Sequence, residues 1–417
     1  MKKIFQLLSV VVIISSQVFA SGFQINEHGA RGMAMAGAFT ALALDGSALF
    51  YNPAGLSQLS GTQFMLGTTL ISPSATFRGV TPAIDEYKME SALFTPINFY
   101  ITHQLNDKWA LGFGVNNQYG LGTTWDENWI GRYLAIKTEV KTYYFTGGAS
   151  YKFSDEFSIG ITASYVYGDV AILKKNSLSP FDGDAEIDLS GNGNSFAYAI
   201  GILYKPSESF RVGLDFRSGS DFTFKGDATV DAPSQFNSLL PTGSIEAPLS
   251  LPYNATIGLA FLPNDKLTVS ADFQYVGWSS YDKMEVTFTE FNNPDGTPYV
   301  STSVRDYNNS WIARLGAEYS LSESFDLRGG ILYDKNPVKD EWVEPSLPDA
   351  DRWGLNIGLG YKFTPNLVLD LAYMFLRFDE RTITNSKVDY TSGAAGFNGV
   401  YNSSAHLFGI NLSYYIN

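Results

Sequence analysis

Histidine and cysteine do much of the covalent chemistry in proteins, and this chain has little of either. It holds three histidines, His28, His103 and His406, and no cysteine, so neither a thiolate nucleophile nor a His/Cys metal cage is expected. One spacing could serve acyl chemistry: Ser404 stands two residues before His406, on the same face of any strand that carries both. That would suit a barrel phospholipase, but the two are read as an interface pair. "DGDAEID" (182–188) gathers carboxylates without the spacing of a calcium loop and reads as a solvated connection. With no nucleophile elbow and no glycine-rich phosphate loop, no catalytic residue, metal or cofactor is expected. The remaining chemistry is non-covalent. Val166, Val170, Ile172 and Lys174 share one parity, so an apolar wall ends in a single ammonium. Such a wall suits a molecule with an apolar body and a carboxylate head. Met374, Leu376 and Phe378 supply a second wall of matching parity, and Met adapts to varied tails.

These residues need elements to hold them. The first twenty residues carry Lys2 and Lys3, an apolar stretch from Leu7 to Ile14 and the small-residue close Val18-Phe19-Ala20. They are read as a secretory signal, cleaved before Ser21. Beyond them no apolar run approaches the ~20 residues of a membrane helix. The net charge of −14 argues against nucleic acid as a partner. An exported chain without cysteine needs a large core or a closed sheet for stability.

Periodicity favours the closed sheet. In "FSIGITASYVY" (157–167) the odd positions are apolar and the even ones mostly Ser, Gly or Thr, and "WGLNIGLGYKF" (353–363) repeats the pattern. Strict period two over ~9–11 residues is the mark of a transmembrane barrel strand, lipid on one side and water or protein on the other. Short polar turns at 105–109, 153–157, 206–210, 263–267, 321–325 and 363–367 alternate with long Asp/Asn/Gly/Ser-rich connections. Six turns join twelve strands, and "QFMLGTTLIS" and "SAHLFGINLSYYI" add one at each end. The fold expected is all-β, a fourteen-stranded antiparallel transmembrane β-barrel in the bacterial outer membrane, monomeric and in contact with outer-membrane lipid.

A barrel of that size needs filling. Residues 21–59 are too rich in Ala and Gly for a barrel strand and suit short helices, so they are read as an internal plug. The chain then divides into a signal at 1–20, a hatch at 21–59 and a barrel at 60–417. Within the hatch, Asn52-Pro53-Ala54-Gly55 breaks the helical pattern, since Pro53 lacks an amide proton and pushes Asn52 into extended backbone.

The stretches "SGFQINEHGARGMAMAG" (beginning Ser21, Gly22, Phe23), "NPAGL", "NNQYGLGT", "LPDADRWGLNIGLGYKF" and "LFGINLSYYIN" together resemble the FadL/TodX family of outer-membrane transporters for hydrophobic compounds. The resemblance implies passive uptake of long-chain fatty acids or other hydrophobic small molecules, with Asn52-Pro53 as the fulcrum of the hatch. It also implies a sideways exit at an inward kink of the third strand, at Asn117, Gln118, Tyr119, Gly120 and Leu121. In the family a basic residue of the fifth strand lies near the ligand head, and Lys174 matches that position. Aromatic-hydrocarbon uptake and an adhesin or structural barrel are the other readings.

Overall fold

The computed structural model describes residues 22–236, 239–391 and 394–416; the expected signal, 1–20, and Ser21 lie outside them. Fourteen antiparallel strands close into a barrel. They are β1 (Thr62–Gly79), β2 (Ile97–Gln104), β3 (Trp109–Asn116, resuming as Gly120–Thr124), β4 (Lys137–Lys152) and β5 (Phe157–Ser177). Then come β6 (Asp184–Ser207), β7 (Phe210–Arg217 and Ser220–Asp231), β8 (Gly243–Leu251 and Asn254–Asn264) and β9 (Leu267–Val276 and Lys283–Asn292). The last five are β10 (Pro298–Val304 and Ser310–Ser320), β11 (Phe325–Asp334), β12 (Arg352–Thr364), β13 (Leu367–Phe378) and β14 (Gly399–Ile416). Each strand pairs with its sequence neighbours, and β1 closes the ring against β14 from Thr62 opposite Ile416 to Gly79 opposite Gly399.

The two-residue period sets the faces. In β5, Ser158, Gly160, Thr162, Ser164 and Val166 are buried while Ile161, Ala163 and Tyr165 are exposed. In β12, Trp353, Leu355 and Ile357 point outward. Outward rings run around the wall in contact with one another: Tyr198, Phe216, Tyr253 and Tyr275 form one arc, and Trp311, Tyr333 and Trp353 another. Trp109, Tyr151 and Phe153 cluster near the tight turns. Aromatic belts at the two water–lipid boundaries fix the height of a barrel in its membrane.

Residues 22–59 lie inside the ring. Two short helices, α1 (Ala30–Ala34) and α2 (Ala48–Tyr51), and a 3₁₀ turn over Pro53–Gln58 are almost wholly buried. Small residues let this backbone press against the wall. A Cβ on Gly160 would stand 2.2 Å from the Pro53 carbonyl carbon, and one on Gly201 2.1 Å from Asn52 Oδ1. Glycine at these strand positions is a close-approach requirement.

Charge holds one side of the segment and apolar contact the other. Arg31 donates to Glu318 Oε1 and Oε2 at 2.6 and 2.9 Å, while Arg328 bridges Glu318 to Asp370. Asp272 Oδ2 accepts the Phe39 and Thr40 amides, and Arg217 donates to Phe50 O with its guanidinium 3.9 Å from the Phe50 ring centre. Opposite, Leu49, Leu56 and Leu59 pack with Met65, Tyr100 and Ala110. Pairing of this kind offsets much of the cost of sequestering charges in a lumen.

Candidate functional site

The ladder of β3 is interrupted at residues 117–119. Asn116 still faces Tyr144 of β4, and pairing resumes at Gly120 opposite Lys141, so three residues of β3 oppose two of β4. A bulge of this kind bends the strand. The break is satisfied by side chains. Asn117 Nδ2 donates to Thr142 O at 2.6 Å, its Oδ1 accepts Ile97 N at 2.7 Å, and Thr142 Oγ1 donates to Tyr119 O. Toward β2 the consequence is larger: ladder pairing ends at Asn98 opposite Asn116, and the next backbone bond runs from Glu90 N to Thr124 O. Across this seam the Phe94 ring lies where a Cβ on Gly122 would stand.

The start of the inner segment pairs with the kink from inside. Ile25 N donates to Gln118 O and Gly120 N to Phe23 O, making an antiparallel bridge between Gln24 and Tyr119. Phe23 is thereby set among rings, 4.9 Å from Trp278, 6.1 Å from Tyr119 and 6.0 Å from Tyr281 between centroids. Gly22, with φ of 62°, donates its amide to Asp349 Oδ2 at 3.0 Å. Asp349 belongs to the connection 335–351, which folds into the lumen. Burial pushes its carboxyl up to about 7, helped by Asp334 and opposed by Arg352 and Arg381. Asp351 is likewise raised to about 7 by burial and the nearby Asp379.

Two cavities meet at this point. Cavity I, about 440 Å³, lies behind the kink and is walled by Phe94, Leu121, Leu376 and Phe378. Cavity II, about 520 Å³, is walled by Val170, Ile172, Leu249 and Met284 and carries Lys174. Phe23, Leu121, Val140 and Leu347 line both, so the inner segment and the inward connection form the partition.

The polar end of cavity II is asymmetric. Arg305 pairs with Glu344 and donates to Tyr281 Oη, and Ser346 donates to the same Glu344 oxygen. Among the described residues no carboxylate comes within ion-pairing distance of the part-buried Lys174. Lys283, the other cation near the ninth strand's break, faces outward and pairs with Glu285 at 3.0 Å.

The residues singled out from sequence therefore separate. Val170, Ile172 and Lys174 share cavity II, whereas Val166 is closed into the packed aromatic cluster. Leu376 and Phe378 face cavity I, and Met374 packs against Met33 and Ala36 of the inner segment. Asn52, Pro53, Ala54 and Gly55 form the 3₁₀ turn, with Asn52 as its cap. Asn117 through Leu121 all sit at the kink, beside Gly22 and Phe23. Arg305, Glu344, Phe94 and Trp278 escape a sequence reading. Only Trp278 had a signal, standing just past the end of a strand where an aromatic can close a lumen.

A closed barrel with an apolar, ring-bordered exterior and a peptide-filled lumen defines the plugged outer-membrane class. The chain belongs to the outer membrane protein transport protein family (OMPP1/FadL/TodX), whose sequence profile matches residues 11–415, and it is an outer-membrane protein. It is 24% identical over 438 residues to the long-chain fatty acid transport protein of Salmonella typhi, covering 97% of this chain and 96% of that one. Its fold is similar to the crystal structure of a Pseudomonas aeruginosa FadL homologue, at a TM-score of 0.86 and 21% identity, covering 95% of this chain and 100% of that one. The toluene transporter TodX of P. putida has the same fold, at a TM-score of 0.78 and 19% identity, covering 94% and 99%.

Proposed function

We propose that the protein takes up amphiphilic hydrophobic molecules, long-chain fatty acids foremost, by passive diffusion. Cargo enters cavity II from outside, passes Phe23 into cavity I and leaves sideways at the β3 seam. In this reading residues 21–59 are a hatch within the barrel of residues 60–417, and residues 1–20 are an export signal. The observation that carries it is Lys174, an ammonium without an ion-pair partner among the described residues, beside the apolar Val170 and Ile172. An unpaired ammonium over an apolar wall favours a carboxylate with a long apolar tail. The relative named for long-chain fatty acid transport supports the same cargo. The unpaired backbone between β2 and β3, covered by one ring, supports the sideways exit, because a lipid-facing wall normally leaves no ladder open.

Aromatic hydrocarbon is the second reading, favoured by the rings of Phe23, Phe94, Tyr119 and Phe378 around cavity I. Uptake of labelled oleate and of labelled toluene, by cells lacking their own transporter and expressing this chain, separates the two. Lys174→Ala is expected to slow oleate uptake about tenfold at low concentration, the worth of one charge-assisted hydrogen bond, and to leave toluene uptake unchanged. Equal effects on both would remove Lys174 as a head-group contact. Uptake of neither by a folded barrel would favour an adhesive or structural role.

A further inference from the structure

At the floor of cavity I lies a smaller void of about 10 Å³, and Glu27, Arg352 and Leu376 line both. Its other polar walls are Asn26, Arg314 and Asp334. Arg352 is committed, donating to Asp334 Oδ2 from Nε at 2.8 Å and from a terminal nitrogen at 2.7 Å. Arg314 is different. It is 6% exposed, yet among the described residues it makes neither a hydrogen bond nor an ion pair, and the aliphatic stem of its side chain is wedged against Gly37. Asp272, opposite it across the β9–β10 ladder, accepts the Phe39 and Thr40 amides at its Oδ2 instead. The Glu27 carboxylate accepts the Asn26 amide at 3.0 Å and, among the described residues, no side-chain donor. The void is thus lined by two guanidiniums and two carboxylates, and one member of each sign, Arg314 and Glu27, has no ion-pair partner among the described residues.

Glu27 is also the member that is not part of the wall. It sits in the extended stretch that carries Phe23 and the bridge to the kink, while Arg314 and Arg352 are fixed on β10 and β12. If that stretch moves, Arg314 loses the Glu27 charge and is left with Asp272 and Asp334, neither within ion-pairing distance of it, and a buried charge without a close partner is costly. We propose that Arg314 and Arg352 form a one-carboxylate site at the floor of cavity I, held at rest by Glu27 of the chain itself, for which an alkyl monocarboxylate competes. The site rests on the transport reading above and is distinct from Lys174, which lies in cavity II. Substrate carboxylate and Glu27 exclude each other, so occupancy by the first favours the hatch arrangement in which the second is withdrawn.

The test uses the full barrel in lipid nanodiscs, with empty nanodiscs as background and equilibrium binding of labelled decanoate and decanol as readout. Glu27→Gln removes the resident charge, and the decanoate Kd is expected to fall about tenfold with decanol changed less than twofold, within the usual range of coupling between competing occupants. Glu27→Gln combined with Arg314→Gln restores neutrality and is expected to cancel the gain. Should that double variant lose the heat-modifiable mobility of a folded barrel, Glu27→Gln in the Lys174→Ala background serves instead: the tenfold gain persists there if the floor site is separate, and its loss would overturn the proposal. An unchanged decanoate Kd in Glu27→Gln, or decanol moving in step with decanoate, would also overturn it. Binding of neither compound by wild type would sink the transport reading with it, whereas binding of both with no response to Glu27→Gln sinks this inference alone.

Discussion

Asn52 has both ends of its amide engaged. Its Oδ1 accepts Ala54 N at 3.1 Å, capping the 3₁₀ turn, while Nδ2 donates to Thr40 O at 2.9 Å and Ile202 O at 3.0 Å. One side chain therefore ties the turn to the strand wall and to the rest of the inner segment. Asn52→Ala breaks all three bonds in a buried site, and a loss of about 2–4 kcal/mol is expected, read as a lower urea midpoint of the barrel in detergent micelles. Asn52→Asp keeps the acceptor but loses both donors, so it should recover only a fraction. Asp349 and Asp351 set a pH dependence at the same scale. Both carboxyls are raised to about 7, so the folded state holds protons that the unfolded chain has released. Their contribution to stability is complete below about pH 4, the unfolded carboxylate range, and is lost as pH rises through about 7. The urea midpoint of Asp349→Asn with Asp351→Asn, relative to wild type, should therefore rise between pH 4 and 7 and level off above. A difference flat across that window would mean the two groups titrate normally.

At the scale of elements, the strands were legible and the seam was not. Period-two alternation and the recurrent short turns disclose fourteen strands because each signal is local: the next turn fixes the register whatever the rest of the chain does. The kink at 117–121 was expected from the family resemblance; a glycine and polar residues inside an apolar strand mark it only weakly, since glycine is common in these strands. What stayed hidden depends on contacts distant in sequence. The strand breaks at 218–219, 252–253, 277–282 and 305–309 leave only weak marks, and nothing local tells connection 335–351 to turn inward and bring Glu344 to Arg305. Parity gave Met374, Leu376 and Phe378 one face but could not say that the inner segment would cover the first and leave the other two lining cavity I. The seam yields its own prediction. Phe94 is the side chain that covers Gly122 where β2 and β3 lack a ladder, so Phe94→Ala widens a gap without breaking a backbone bond. Toluene uptake by cells expressing Phe94→Ala should rise severalfold, by opening a path rather than by tighter binding. Unchanged uptake would place the rate-limiting passage elsewhere.

The molecule as a whole is a rigid ring around a segment tethered unevenly. From Ala30 onward the segment is locked: ion pairs on one side, leucines on the other, and wall glycines that leave no slack. The stretch from Gly22 to Glu27 has lighter ties. It is held by the bridge to β3, by the Gly22 to Asp349 bond, by the Phe23 rings and by single hydrogen bonds from Gln274 to Gln24, from Tyr51 to Asn26 and from Thr69 to Glu27, with no ion pair among the described residues. This stretch also forms part of the partition between the two cavities, so any continuous path between them requires it to shift while the remainder stays. A crosslink can test that division of labour, because the chain contains no cysteine of its own. Gln24 and Tyr119 face each other with their backbone bonds on the flanking residues, the non-hydrogen-bonded antiparallel arrangement. Its Cα separation of ~4.5 Å falls within the span a disulfide accepts. Gln24→Cys with Tyr119→Cys should therefore oxidise readily, and the oxidised barrel should take up neither oleate nor toluene. Reduction with dithiothreitol should restore uptake to the level of the two single variants. Full uptake by the oxidised form would mean that cargo crosses without displacing the stretch beside Phe23, and the path through the two cavities in series would have to be abandoned.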